Sequence, residues 1–295
     1  MTIPPRAPST ASVSVIGLGQ MGRPVARSLH AQGFLVRGWN RSPRTREEVG
    51  DFELCETLED AARSETIMLV LADSDAVDAV LAKLEGQLAA GQIVIDLGSS
   101  EPERSRAHAA RLSAAGIGWV DAPVSGGPEG AEERRLAIMA GGEPQDLARA
   151  EPLLKALGTV VHAGGPGAGH TVKIVNQVIV GLTLEAIAEA LALAEKAGID
   201  PRLVQAALRA GSADSRLLQV QGTRMIERDF ARRGAVRTML KDGRLGLSLA
   251  ESVGAELPHL RSLVGVWEEL VLSGHADDDC TVLITRLLNG PREPR

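Results

Sequence analysis

Short β-branched runs alternate with helical stretches over the first half of the chain. Strands are expected at 12–16, 35–39, 66–71, 93–96, 118–120, 136–139 and 160–162, with helices at 21–32, 76–84 and 101–115 among them. Strand and helix taking turns predicts a parallel sheet covered by helices, because a parallel pair needs a long crossover. The helix at 101–115 opens on Ser100-Glu101-Pro102-Glu103, the spacing of a capping box between Ser100 and Glu103. After the glycine-rich stretch 164–169 the pattern changes: 171–197 holds no proline, and its apolar positions recur near every 3.6 residues. Gly198 should stop that helix, and Asp200-Pro201 should cap and begin the next. At 1.5 Å per residue it would span about 40 Å, enough to leave one domain and found another. From Pro201 to Leu288 the chain reads helical, except for a brief strand-like alternation at 281–284.

The expected fold is therefore α/β: an N-terminal Rossmann-type doubly wound parallel sheet, a long interdomain helix and an all-α C-terminal domain. The boundaries read as a disordered tail at 1–11, a dinucleotide-binding domain at 12–166 and a helical domain at 167–290.

Composition narrows the chemistry. The 295 residues carry a net charge of −6, against the basic face that nucleic acid requires. There is no tyrosine, which excludes any oxidoreductase using a phenol as general acid. Two cysteines cannot build a four-cysteine zinc site, no metal is expected, and so low a count suits a reducing compartment. Residues 1–10 lack an apolar core for a signal peptide, and the longest apolar helix is interrupted by Lys173, Glu185, Glu189 and Glu195. A soluble, cytoplasmic protein without a membrane span is the expectation.

The strongest local signal is Gly17-Leu18-Gly19-Gln20-Met21-Gly22, between the strand at 12–16 and a helix. Gly17 permits a tight turn, Gly19 lets backbone amides approach a pyrophosphate, and Gly22 allows helix and strand to pack closely. The second strand ends in Trp39-Asn40-Arg41-Ser42, with no carboxylate for a ribose diol. Arg41 can instead fork onto a 2′-phosphate and Ser42 can add a hydroxyl, which favours NADP(H) over NAD(H). Only five of the 32 basic residues are lysines, Lys83, Lys155, Lys173, Lys196 and Lys241. Where arginine serves so widely, a lysine is expected where an ammonium must release a proton. Lys173 stands at the start of the long helix, whose positive end, with any burial, would lower its pKa; Asn176 and Gln177 follow on the same face.

Four motifs together resemble the β-hydroxyacid dehydrogenase family, of the 3-hydroxyisobutyrate dehydrogenase and tartronate semialdehyde reductase type, over about 12–288. They are the glycine fingerprint 17–22, Asp121-Ala122-Pro123-Val124-Ser125-Gly126-Gly127, the stretch from Gly167 through Lys173 to Gln177, and Lys241-Asp242 with Phe230 before it. The resemblance implies that Ser125, Gly126 and Gly127 hold the carboxylate of a small substrate. It makes Lys173 the catalytic acid/base and Asn176 and Gln177 the residues that orient the substrate beside it. Lys241 would serve cofactor and substrate, Ser99 would lie near the nicotinamide, and Leu71 and Ala72 would pass the cofactor. It also implies a homodimer or homotetramer made through the helical domain. The Asn176-Gln177 pair points to the tartronate semialdehyde reductase group.

The chain departs from the family at Arg134-Arg135, where a glycine and a small residue are usual, and at Arg232-Arg233, where Pro-Gly is frequent. Solvated loop positions are the simplest account of these arginines. Two other functions compete. An imine reductase of the same fold is disfavoured by Lys173 and the intact 121–127 motif, and a catalytically idle NADP-binding module by the joint presence of Ser125, Lys173 and Lys241.

Overall fold

A computed structural model describes residues 11–288, so the tail expected at 1–11 falls almost wholly outside the described residues. The chain divides into two compact units, Met1–Lys173 and Ile174–Arg295.

The first unit is built on a sheet of β1 (Ser12–Ile16), β2 (Leu35–Trp39), β3 (Glu53–Leu54), β4 (Thr66–Leu69), β5 (Ile93–Asp96), β6 (Gly118–Asp121), β7 (Val124–Ser125), β8 (Leu136–Gly142) and β9 (Gly158–Gly164). Its order is β3-β2-β1-β4-β5-β6-β8-β7, with β9 paired to β8. The first six strands run parallel in the doubly wound order, which reverses direction between β1 and β4. The far edge departs from an all-parallel sheet: β8 runs antiparallel to both β6 and β7. Alternation explains the burial on both faces. Val13, Val15, Met68, Ile93 and Ile95 enter one apolar cluster, while Ile16, Ile67, Leu69 and Val94 enter the other.

Helices cover both faces: α1 (Gly22–Ala31), α2 (Arg46–Val49), α3 (Leu58–Ala61), α4 (Ser74–Leu84), α5 (Pro102–Ser113), α6 (Gly127–Glu132) and α7 (Pro144–Leu157). The capping box expected between Ser100 and Glu103 does not form. Glu101 is the N-cap of α5 without a side-chain bond, because the Ser100 hydroxyl donates to Asp96 Oδ2 at 3.1 Å. A capping box does open α2, where Thr45 and Glu48 satisfy each other's amides.

Helix α8 (Ala168–Lys196) begins in the first unit and continues into the second. By length and composition it could cross a membrane, yet its Leu184, Ile187, Ala188 and Leu191 lie in the core of the second unit. Gly198, at φ +77, follows its end, and the Asp200 carboxylate caps α9 (Pro201–Leu208). Then come α10 (Thr223–Glu227), α11 (Val236–Val253), α12 (Pro258–Leu270) and α13 (Leu283–Leu288). The strand-like alternation at 281–284 is helical instead, since Asp279 caps a single 3₁₀ turn, Cys280–Val282, that runs into α13. Asp279 is wholly buried and accepts from Arg224 at 2.8 Å and from the amides of Arg233, Gly234 and Thr281. Trp119 is buried in the first unit and Trp267 in the second.

Candidate active site

The glycine turn lies at the carboxyl end of β1, where the sheet order reverses. Gly17 has φ +102, and a Cβ there would lie 2.3 Å from the Val70 carbonyl oxygen. At Gly22 a Cβ would stand 1.8 Å from the Gly17 oxygen, so α1 can approach β1 only because that atom is missing. Gly19 differs: a Cβ would meet nothing within 4 Å. The packing of the protein gives no reason for glycine at 19, whereas a diphosphate approaching the turn backbone does. The residues therefore fit a dinucleotide.

Asn40 ties the end of β2 to this turn, its Oδ1 accepting from Leu18 N at 2.9 Å and its Nδ2 donating to Ser42 O at 2.8 Å. Arg41 and Ser42 follow on the surface, while Gln20 is exposed and Met21 half-buried. The Leu71 side chain lies 3.1 Å from the Cβ position of Gly17, and its carbonyl oxygen 3.1 Å from that of Gly98. The stretch through Leu71 thus connects the glycine turn to the end of β5, where Gly98 precedes Ser99; Ala72 is exposed beside it.

Ser125 ends β7, opposite Ala137 of β8. Gly126 at φ +134 and Gly127 at φ +68 then turn the chain into α6 with conformations that side chains rarely adopt. The signature residues of this turn are thus a hydroxyl and two adjacent unhindered amides, groups suited to a carboxylate.

Lys173 is buried at 8% exposure in the second turn of α8. The start of that helix is fixed by a residue remote in sequence: Asp121 Oδ1 accepts from Gly167 N at 2.8 Å and Oδ2 from His170 N at 3.0 Å. At Gly169 a Cβ would lie 2.3 Å from the Met139 oxygen and 2.4 Å from the Asp121 oxygen, so only glycine lets the helix sit this close to β6 and β8. Burial pushes the Asp121 carboxyl up, while His170 and the two amides pull it back without cancelling the rise.

In the second unit the structure joins Asn176, Gln177 and Lys241 through a residue that sequence reasoning had not assigned to the site. Asn176 Nδ2 donates to Gln177 Oε1 at 2.8 Å, and Gln177 Nε2 to Asp242 Oδ2 at 2.6 Å. Lys241 Nζ lies 3.0 Å from Asp242 Oδ1, and Asp242 is buried. Asp242 was legible only as the neighbour of Lys241, and Asp121 only as the first residue of its motif. Their partners lie 65 and 46 to 49 residues away, beyond any local pattern.

The divergent arginines fall on loops. Arg134 takes a left-handed φ of +57, and Arg135 contacts Glu133. Arg232 pairs with Asp277 at 3.1 Å, and the Arg233 amide donates to Asp279 at 2.9 Å. Neither cysteine is poised as a nucleophile: burial pushes up the thiols of half-buried Cys55 and buried Cys280.

Two family models match in tandem. The NAD binding domain of 6-phosphogluconate dehydrogenase matches residues 12–165, and the NAD-binding region of NADP-dependent 3-hydroxyisobutyrate dehydrogenase matches 167–287. The chain is 34% identical over 278 residues to 2-hydroxy-3-oxopropionate reductase of Escherichia coli (strain K12), covering 92% of this chain and 95% of that one. A solved 3-hydroxyisobutyrate dehydrogenase of Mycobacterium tuberculosis with L-serine superposes with a TM-score of 0.84 at 25% identity, covering 94% of this chain and 99% of that one. An imine reductase from Pseudomonas sp. is more distant, with a TM-score of 0.60 at 20% identity over 94% and 99%, a likeness of fold alone.

Proposed function

Because the chain belongs to the β-hydroxyacid dehydrogenase family, NAD(P)-dependent oxidoreductases acting on CH–OH groups of hydroxy acids, we propose that it interconverts a small 3-hydroxy acid and its semialdehyde with Lys173 as general acid/base. When bound, the nicotinamide supplies or accepts the hydride. The residues suited to hold the dinucleotide are 17–22 and 40–42, with Leu71, Ala72, Ser99 and Lys241. In this reading 12–166 forms the cofactor domain and 167–290 the substrate and assembly domain.

Ser125 and the amides of Gly126 and Gly127 take the substrate carboxylate. Asn176 and Gln177 orient the rest of the molecule, and Lys241 serves substrate as well as cofactor. Lys173 Nζ gives its proton to the substrate oxygen as carbonyl becomes alcohol, and as a neutral amine takes it back in the reverse direction. Holding the carboxylate at a fixed place supplies the orientation on which that transfer depends. Arg41 and Ser42, with no acid beside them, favour NADP(H). The enzyme works in the cytoplasm as a homodimer or homotetramer through its helical half, where α8 leaves Val175, Ile179 and Leu193 exposed.

The observation that carries this reading is the buried Lys173 on a helix start that Asp121 fastens down. The test follows NADPH consumption with tartronate, methylmalonate and succinic semialdehydes and a cyclic imine, and NADP⁺ reduction by 3-hydroxyisobutyrate, threonate, glycerate and serine. Lys173→Ala should cut turnover on the active substrate by roughly 10²- to 10⁴-fold while cofactor affinity holds. Equal loss of both would make Lys173 a cofactor ligand or a structural residue, and activity on the imine alone would overturn the proposal.

A further inference from the structure

One residue of the third motif has no role in the reaction as described. His170 lies one turn before Lys173 and is wholly buried, as are the two carboxylates that face it, Asp96 at the end of β5 and Asp121 at the end of β6. His170 Nε2 is 3.5 Å from Asp96 Oδ2 and Nδ1 is 4.0 Å from Asp121 Oδ2, and neither ring nitrogen makes a hydrogen bond, to these carboxylates or to any other group.

Both acids act as acceptors on both oxygens. Asp96 receives Gly98 N at 2.8 Å and the Ser100 hydroxyl at 3.1 Å, and Asp121 receives the amides of Gly167 and His170. Accepting at every oxygen is the role of an ionised carboxylate. Two buried anions without a counter-charge are costly, and the imidazole is the ionisable group set between them. A neutral imidazole brings no charge to either acid, whereas the doubly protonated ring is a cation within 4.0 Å of both carboxylates. Other titratable or charged groups near this point are Lys173 on the same helix and, on α5, Arg106, whose Nη1 lies 3.0 Å from the Cβ position of Gly167, and His108, whose pKa burial pushes down while it feels the charge of Asp96.

We propose that His170 is a positioning residue for Lys173: as a cation it bridges Asp96 and Asp121, and so holds the first turn of α8 on the ends of β5 and β6. This rests on the reading of Lys173 as the acid/base. The bridge sets where Nζ stands, and it places a positive charge one turn from the ammonium, which favours release of its proton. A leucine or glutamine at 170 would leave the two carboxylates facing one another without that charge.

Two measurements test it. In the full chain labelled with ¹⁵N-histidine, the ring of His170, assigned by through-bond correlation, should be doubly protonated at pH 7. A neutral tautomer there overturns the proposal, whatever Lys173 does. In His170→Gln and His170→Asn, kcat should fall roughly ten- to a hundredfold while cofactor dissociation constants stay within about threefold. The limb of the kcat–pH profile that reports Lys173 should move to higher pH. Lower thermal stability with unchanged kcat and profile would make His170 structural only and overturn the proposal. If neither variant folds, the ring protonation of the unaltered chain decides. Failure of the parent reading is distinguishable, because it appears as turnover surviving Lys173→Ala.

Discussion

At the scale of single residues, two arginines show how position changes meaning. Arg134 occupies the left-handed region at φ +57, where a side chain costs about 1–2 kcal/mol. Glycine would relieve that strain at an entropic cost of about 0.5–1 kcal/mol, so Arg134→Gly should stabilise the protein by up to about 1.5 kcal/mol in denaturant titration. A loss of stability would mean that the arginine makes a contact worth more than its strain. Arg41 is the opposite case, exposed and ordinary in itself, yet placed where the ribose 2′ position of a dinucleotide would lie in this fold. Arg41→Ala should weaken NADPH about tenfold or more and NADH little, by equilibrium fluorescence titration. An unchanged ratio of the two would remove the basis for preferring NADP(H).

At the scale of elements, the glycines divide into those the fold requires and those it does not. Gly169→Ala should cost about 2–4 kcal/mol, since its Cβ would run into backbone oxygens of β6 and β8 that cannot move aside. Gly19→Ala should leave the melting temperature of the cofactor-free protein almost unchanged and abolish most of the upshift that NADPH produces. Equal destabilisation without cofactor would show that residue 19 belongs to the packing after all. The sequence could be read this far because the fingerprint, the strand–helix alternation and the lysine scarcity are local or compositional. Strands β1, β2 and β5 lie where their β-branched runs predicted them. Two-residue strands such as β3 and β7 are too short to show a period, and α7 carries Pro152 inside it, which argues against a helix from sequence alone. The capping box at Ser100 was misplaced because a buried carboxylate 4 residues earlier competes for its hydroxyl. The carboxylates that fasten these segments, Asp121 at the start of α8 and Asp242 against Gln177, escaped assignment for a related reason, since their bonds close only when distant segments meet.

At the scale of the whole molecule, the response to acid is written into the second unit. Burial alone would push the Asp279 carboxyl up, but the Gly234 amide, the Arg224 guanidinium and the amides of Arg233 and Thr281 outweigh it and hold it below the usual carboxylate range. A carboxyl lowered by folding contributes stability that is fully present above its unfolded pKa, about 3.9, and is lost as the pH falls through the folded value. Asp279→Asn should therefore melt well below the unaltered protein at pH 7, and the gap should narrow steadily below about pH 4. A gap that is constant with pH would place the cost in shape and not in charge. The absence of tyrosine leaves three tryptophans as the dominant intrinsic fluorophores. Trp119 is sealed in the sheet unit and Trp267 in the helical unit, while Trp39 ends β2 and accepts the Gly17 amide at 2.9 Å on its carbonyl. Each compact unit thus carries one interior emitter, and a third stands at the glycine turn. Single-tryptophan variants would let the melting of either half, and the arrival of a nucleotide at that turn, be followed by colour and intensity alone, with no dye attached.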